Sequence, residues 1–388
     1  MAVVRSDTLG YFSHWSGAKS NADIVIECMF SDRAPKSPAA IKPLRNTRSG
    51  IYRPLRVFVI SVFLGALPLV INAEVRSPPP AIGFDLPLKC KLGQNCWVMN
   101  YVDHDSSSVV ADSACGPRSY DGHKGTDFAV RDMQAMRRGV YVRAIAAGTV
   151  RRLRNNVNGH GLKIPADQVQ GKECGNDVVI RHADGWESQY CHLGRGSIRV
   201  KRGDPIARGE PIGQIGMSGR TAFPHVHLSL RKDGQLVDPA NGRPVGKGCG
   251  IGGKSLFKKS SKIRYHRSRL YAAGFAPSVP TGSDIKRDAE TPPLIVRDAP
   301  AVVFWAAIFG AAKGSRLQLT IIAPDGKKFW TRDVAITRNQ AWRMAYIGRK
   351  RKAGRRWPSG RYRGVATLHS ATAKGKKSQT QQISVDIP

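Results

Sequence analysis

Val178-Val179-Ile180-Arg181-His182-Ala183-Asp184-Gly185-Trp186-Glu187-Ser188-Gln189-Tyr190-Cys191-His192-Leu193 reads as two extended runs joined by a turn. Val178–Arg181 and Glu187–Leu193 alternate in polarity, and Ala183-Asp184-Gly185 supplies turn residues between them. Folding this hairpin back brings Cys174 near Cys191, so a disulfide is expected there. Outward from the hairpin the pattern repeats as short β-branched runs punctuated by glycine: Val140–Ile145, Gly148–Leu153, Ile198–Val200, Pro211–Ile215 and Val226–Leu230. No long helical period interrupts them. The expectation is an all-β, antiparallel domain, with the polar stretch Asn155–Glu173 as an insertion at its rim.

Two stretches offer chemistry. His123-Lys124-Gly125-Thr126-Asp127 places an imidazole and a carboxylate four residues apart, and Pro224-His225-Val226-His227 follows about a hundred residues later. Residues i and i+2 of a strand point to one face, so His225 and His227 look into a single site. Imidazoles with a carboxylate suit Zn²⁺, and a catalytic zinc takes three protein ligands, leaving its fourth position to water. Four candidate side chains for three places leave one for acid/base work.

The chain has 388 residues, long enough for two domains and more, and its 41% hydrophobic content supports a globular core. Its net charge of +34 favours an anionic partner, such as acidic envelope polymer. No zinc-finger spacing and no aromatic RNA-binding strand pair accompanies that charge, so no specific nucleic-acid partner is expected. Residues 1–52 lack a clear period. Arg53-Pro54-Leu55-Arg56 and the apolar run Val57–Ala73 read as a secretion signal over 53–73, cleaved before Glu74 and leaving no stable membrane span; the alternative is an uncleaved membrane anchor, against which stand the shortness of the run and its Pro68 and Asn72. Such signals open a chain, so residues 1–52 are expected to lie upstream of the true start. No Met stands between Met29 and Met99, so that start requires a non-Met codon.

Residues 74–97, with Ser77-Pro78-Pro79-Pro80, read as linker and pre-domain, and 98–243 as the first domain. Cys90, Cys96, Cys115, Cys174, Cys191 and Cys249 all follow the signal, an even set that predicts disulfides in an oxidising compartment. Residues 244–284 read as a connector with a short helix around Ser268–Ala273. From 285 to 388 a second rhythm of strands (Ala301–Ile308, Arg316–Ile322, Lys328–Thr331, Ala341–Ile347, Arg361–Leu368 and Gln381–Val385) predicts an Ig-like β-sandwich. Its sequence names no ligand; it is expected to bind wall or a partner, or to pack on the first domain. Arg349–Arg356 reads as a solvated basic loop, with a polyanion contact as the alternative.

Over Gly122–Pro239 the chain resembles the lysostaphin/LytM-type zinc metallopeptidases, peptidase family M23 of cell-wall endopeptidases. The resemblance rests on an ordered set: His123-x-x-x-Asp127, Val142–Val150 (VRAIAAGTV), Gly175–His182 (GNDVVIRH), Tyr190-Cys191-His192-Leu193, Val200-Lys201-Arg202-Gly203-Asp204, Ile212–Gly219 (IGQIGMSG) and Pro224-His225-Val226-His227. A lone HxH is weak; this series is specific. It implies a LytM-like antiparallel fold, His123, Asp127 and His227 as zinc ligands, and His192 and His225 as the catalytic pair beside the metal. Two departures stand next to the site: Phe223 where the family commonly has glycine, and Leu228 where it commonly has phenylalanine. Both are expected to shape the groove and not the metal.

The function so implied is an exported zinc endopeptidase of the periplasm or cell envelope, cutting peptide cross-bridges of peptidoglycan. The rival is a non-catalytic envelope protein that uses the same fold to bind wall or regulate an amidase; a secreted peptidase acting on proteins shares the chemistry. Asn100 is a candidate to reach back and cap the metal. His182 and His160 are expected to be solvated, and His104, His266 and His369 to lack a partner set. Cys191 and His192, adjacent in a strand, point to opposite faces and do not form a nucleophile pair.

Overall fold

The computed structural model describes residues 83–159, 166–250, 252–261, 263–291, 293–372 and 375–388. The expected extension, the signal and His160 lie outside the described residues. Among the described residues, no helix is long and apolar enough to cross a membrane.

The first half carries β1 (Trp97–Val98), β2 (Thr126–Ala129), α1 (Met133–Arg137), β3 (Tyr141–Arg143), β4 (Gly148–Arg154), β5 (Asn176–Arg181), β6 (Trp186–Leu193), β7 (Pro205–Ile206), β8 (Pro211–Gln214), β9 (His225–Lys232), β10 (Gln235–Asp238) and β11 (Arg243–Pro244). β1-β2-β9-β6-β5-β4-β7 form one antiparallel sheet, with β10 and β11 added beyond β9, and β3 pairs separately with β8. The hairpin read from the sequence is β5–β6, with Arg181 opposite Glu187. Its turn holds Asp184 at φ 54 and Gly185 at φ 70, the left-handed conformations that a tight turn requires. Ile198–Val200, read as a strand, forms none.

The core beneath this sheet gathers Val142, Ile145, Val178, Ile180, Tyr190, Leu193, Ile212, Val226, Leu228 and Leu230. It also takes in Phe84, Leu88 and Phe257. Phe84 bridges to Phe257 and Leu88 to Val142. The stretch 84–97 is therefore part of the first domain and not a linker; its apolar residues are too far apart in sequence to show a period. The expected Cys174–Cys191 bridge is present, with Cys90–Cys96 and Cys115–Cys249 beside it.

The second half carries β12 (Arg269–Ala276), α2 (Gly282–Arg287), β13 (Ala301–Ala311), β14 (Arg316–Ile322), β15 (Lys328–Ala335), β16 (Gln340–Lys350), β17 (Gly360–Thr372) and β18 (Gly375–Ile387). β12-β13-β16 and β15-β14-β17-β18 are two antiparallel sheets over a shared core of residues such as Phe275, Phe304, Leu319, Ile347 and Leu368. β12 lies in the expected connector, where a short helix was read around Ser268–Ala273. Leu, Tyr and Ala tolerate either state locally; the antiparallel ladder to β13 selects the strand.

β13 is buried along all 11 residues, and its alternation explains why. Val302, Phe304, Ala306 and Ile308 face the sandwich interior. Ala301, Val303, Trp305, Ala307 and Phe309 face the other way, into a cluster with Trp97, Ala129 and Phe223 of the first domain. A strand covered on both faces has no polar row. The sandwich thus packs on the first domain through the outer face of its smaller sheet. Polar contacts join the seam: Asp132, the N-cap of α1, accepts from Ala289 N, and Arg118 donates to the carbonyls of Val98, Met99 and His266.

Candidate active site

β2, β9 and β6 lie side by side, and their register sets the site. Asp127 pairs with His227, Ala129 with His225, and Cys191 with His227. His225 and His227, two residues apart on β9, reach the same pocket. His123 enters from the turn before β2. All five residues singled out from the sequence meet here; His123, Asp127, His192 and His225 are buried and His227 is partly exposed.

His123 Nε2, Asp127 Oδ1 and His227 Nδ1 form a triangle with sides of 3.1, 3.0 and 2.9 Å. The outer ring nitrogens fix the tautomers. His123 Nδ1 lies 2.6 Å from the carbonyl of Tyr101, which can only accept. His227 Nε2 lies 3.0 Å from Ser229 Oγ, whose own proton goes to the carbonyl of Lys124. With both rings neutral, the two inner nitrogens are bare and face a carboxylate oxygen. In that state three lone pairs converge, an arrangement that suits a cation, whether a metal ion or a proton shared between them. Two imidazoles and a carboxylate with room for a further ligand are the donor set of a catalytic zinc. Gly125 makes the convergence possible: a Cβ there would lie 2.5 Å from His227 Nε2 and 2.7 Å from the carbonyl oxygen of Leu228.

Asp127 Oδ2 accepts from Asn100 Nδ2 at 2.9 Å. Asn100 therefore turns its amide donor to the carboxylate and orients it, in place of the metal-capping role considered from the sequence. Burial acts to raise the Asp127 pKa, but with no metal between them a proton carried by the neighbouring His123 or His225 outweighs it and holds the carboxyl well below its ordinary range. Burial pulls His227 below its ordinary value against the opposing pull of Asp127.

His192 and His225 stand beside the triangle, their ring centroids 4.7 Å apart. His192 donates from Nδ1 to the carbonyl of Ser218 at 2.9 Å, which leaves Nε2 for chemistry. Its φ of 64 is left-handed, a conformation that costs a non-glycine residue about 1–3 kcal/mol. The position is held from both sides: His192 N–H donates to the carbonyl of Cys174, and Gly216 N–H donates to the carbonyl of His192. Burial, then the nearby His225 and His227, hold His192 well below its ordinary pKa. Burial also acts to lower His225, but Asp127, with Oδ1 3.4 Å from His225 Nε2, raises it overall.

Several participants were not singled out from the sequence. Tyr101 acts through a backbone carbonyl, which no side-chain pattern reveals. Ser229 continues the i, i+2 row from His227 and was findable on that ground. Tyr120, half exposed, lays its ring 4.3 Å from that of His123 at the mouth of the site. His182, expected to be solvated, is buried; its Nδ1 donates to the Ala147 carbonyl, and its Nε2 lies 2.7 Å from Ser188 Oγ. This Ser–His pair is buried and, among the described residues, hydrogen-bonds to no carboxylate, so it is a structural network continued by Tyr190 Oη. His104, expected to lack a partner, is buried against Asp238 at 3.0 Å. Phe223 does not line the groove; it is 3% exposed and packs against the sandwich. Cys191 is held in its disulfide, so no thiol stands beside His192. A cleft of about 970 Å³, lined by Arg152, Arg154, Asn155, Asn158 and Lys172 among others, opens at the rim insertion and not at these donors.

The antiparallel sheet and its converging histidines and aspartate define an all-β domain with a metal-compatible site. Residues 121–239 match the model of peptidase family M23, and the chain carries a domain of that family. Similar proteins include the DD-carboxypeptidase/endopeptidase Mpg of Neisseria meningitidis serogroup B, 42% identical over 67 residues covering 17% of this chain and 15% of that protein. The peptidoglycan DD-endopeptidase ShyA of Vibrio cholerae serotype O1 is 34% identical over 116 residues, 30% of this chain and 22% of that protein. The chain thus spans less than a quarter of the length of these curated relatives. Among solved structures, the catalytic domain of the prophage-encoded M23 protein EnpA from Enterococcus faecalis is 30% identical, covering 36% of this chain and 95% of that chain, with a TM-score of 0.25.

Proposed function

We propose that this protein is an exported zinc endopeptidase that hydrolyses peptide cross-bridges of peptidoglycan. The observation that carries the proposal is the convergence of bare His123 Nε2, Asp127 Oδ1 and His227 Nδ1 beside two further imidazoles. A relative named as a peptidoglycan DD-endopeptidase supports the substrate class. The three disulfides fit an oxidising compartment, and the +34 charge fits an anionic envelope polymer.

His123, Asp127 and His227 would hold the metal. Bound zinc supplies an acidified water and polarisation of the scissile carbonyl. His192 and His225 divide the proton transfers. One accepts the proton of the attacking water, and the other donates to the leaving amine nitrogen or to the developing oxyanion. Each ring has its Nδ1 committed to a backbone carbonyl, which leaves Nε2 for proton transfer, that of His225 lying 3.4 Å from Asp127 Oδ1. Asn100, Tyr101 and Ser229 orient the ligands.

The test is zinc content together with release of soluble peptides from purified sacculi by protein starting at Glu74. One zinc per chain with new peptide ends supports the proposal. Zinc without cleavage of sacculi, or cleavage of soluble proteins in preference to sacculi, overturns the substrate assignment. No bound zinc overturns the enzyme reading in favour of a wall-binding or amidase-regulating protein.

A further inference from the structure

Phe223 joins two parts of the molecule that the sequence keeps apart. Its ring stands edge-on to Phe309, with centroids 5.2 Å apart and planes at 89°, and to Tyr271, at 6.1 Å and 87°. Tyr271 and Phe309 stack on each other at 3.9 Å. Tyr271 Oη accepts from Trp342 Nε1 at 2.7 Å, so strands β12, β13 and β16 of the sandwich all build this seat. Edge-on aromatic contacts of this kind are directional and resist sliding.

The backbone of the same residue holds His225. The carbonyl of Phe223 accepts from His225 Nδ1 at 2.8 Å. Thr221 Oγ1 closes the turn: it donates to the Phe223 carbonyl at 2.8 Å, accepts from Phe223 N at 3.3 Å, and lies 3.2 Å from His225 Nδ1. Pro224 follows directly and disfavours helical backbone at Phe223. The ring of Phe223 is therefore coupled stiffly to its own carbonyl. Ala129, which pairs with His225 across the sheet, lies in the same interdomain cluster.

We propose that Phe223 is a positioning residue through which the C-terminal sandwich sets the ring of His225, making the sandwich part of the hydrolytic apparatus. This rests on the reading of His225 as a proton-transfer residue. Displacements of about 1 Å at such a group cost on the order of a hundredfold in rate, and an empty seat beside Phe309 leaves room for one.

The experiment uses the full-length exported chain with Phe223→Leu, Phe223→Ala, Phe309→Ala and the Phe223→Ala/Phe309→Ala double variant. Phe223→Ala should lower kcat by about 10–100-fold with KM within about twofold and one zinc retained. Phe223→Leu, which keeps an apolar anchor, should recover most of the loss. Phe309→Ala should lower kcat in the same way, and the double variant should be little worse than either single change, because both remove one contact. Nitrogen-15 histidine spectra read the imidazole without turnover. The His225 Nδ1–H signal should weaken in Phe223→Ala and persist in Phe223→Leu. An unchanged His225 signal in Phe223→Ala overturns the proposal whatever the activity. So does a kcat within twofold of wild type, or additive losses in the double variant. Wild-type protein that binds zinc yet cleaves nothing defeats the functional reading instead, and the spectra still decide the positioning claim. If Phe223→Ala does not fold, the Phe223→Leu and Phe309→Ala pair carries the same comparison.

Discussion

Replacing Gly125 by alanine should break the metal site with a single methyl group. The added Cβ would lie 2.5 Å from His227 Nε2, 2.7 Å from His227 Cε1 and 2.7 Å from the Leu228 carbonyl oxygen. That is about 1 Å inside an ordinary heavy-atom separation of roughly 3.5 Å. Leu228 cannot yield, because it is fully buried in β9 and paired on both sides, with Thr126 and Tyr190. The His227 ring must therefore move, and its bond to Ser229 Oγ and its place in the donor triangle go with it. Metal sites tolerate errors of only about 0.2 Å. Losing alignment of one ligand in three should weaken zinc binding by at least about a hundredfold, some 2.7 kcal/mol. Overpacking should cost the metal-free fold a further 1–3 kcal/mol or so. Chelator competition gives the first quantity and thermal unfolding in chelator the second. Lys124→Ala, at an exposed neighbour whose carbonyl is kept, is the control and should bind zinc normally. Zinc affinity in Gly125→Ala within threefold of wild type would refute the claim that glycine is needed for these donors to converge.

His227→Ala should lose zinc, whereas His192→Ala should keep one zinc and lose about 10²–10⁴-fold in turnover; metal analysis beside a hydrolysis assay separates the two. Arg118→Met removes a buried cation that holds the carbonyls of Met99 and His266 across the domain seam, and should destabilise the protein by about 3–5 kcal/mol, read by denaturant unfolding. Replacing Cys174 and Cys191 by serine frees the segment whose carbonyl holds His192 N–H. It should lower stability by about 3 kcal/mol and reduce turnover with zinc retained, checked by unfolding and hydrolysis with and without reductant. Burial holds His182 below its ordinary pKa. Below about pH 6.5 the unfolded chain therefore takes up a proton that the folded chain refuses, and stability falls as pH decreases until the folded value is passed. His182→Gln should flatten that slope in thermal unfolding measured across pH 5 to 7.

The sequence by itself determined what depends on short-range pattern. Alternation around Ala183-Asp184-Gly185 specifies the β5–β6 hairpin, and the hairpin brings Cys174 to Cys191. The two-residue period of a strand puts His225 and His227 on one face, and the order of motifs names the residues that the structure gathers. Tertiary structure decided whatever depends on a second surface. Ser268–Ala273 has the composition of a helix, yet β12 forms because β13 is there to pair with it and both of its faces are covered. Phe223 looked like part of a substrate groove because nothing near it in sequence announces Tyr271 and Phe309. His182 and His104 looked solvated or unpaired because their partners are a backbone carbonyl, a serine and an aspartate brought in by other segments of the chain. Asn100 was legible as a residue of the site but not in its role. Whether its amide meets a metal or a carboxylate depends on where the second oxygen of Asp127 points, and packing fixes that direction.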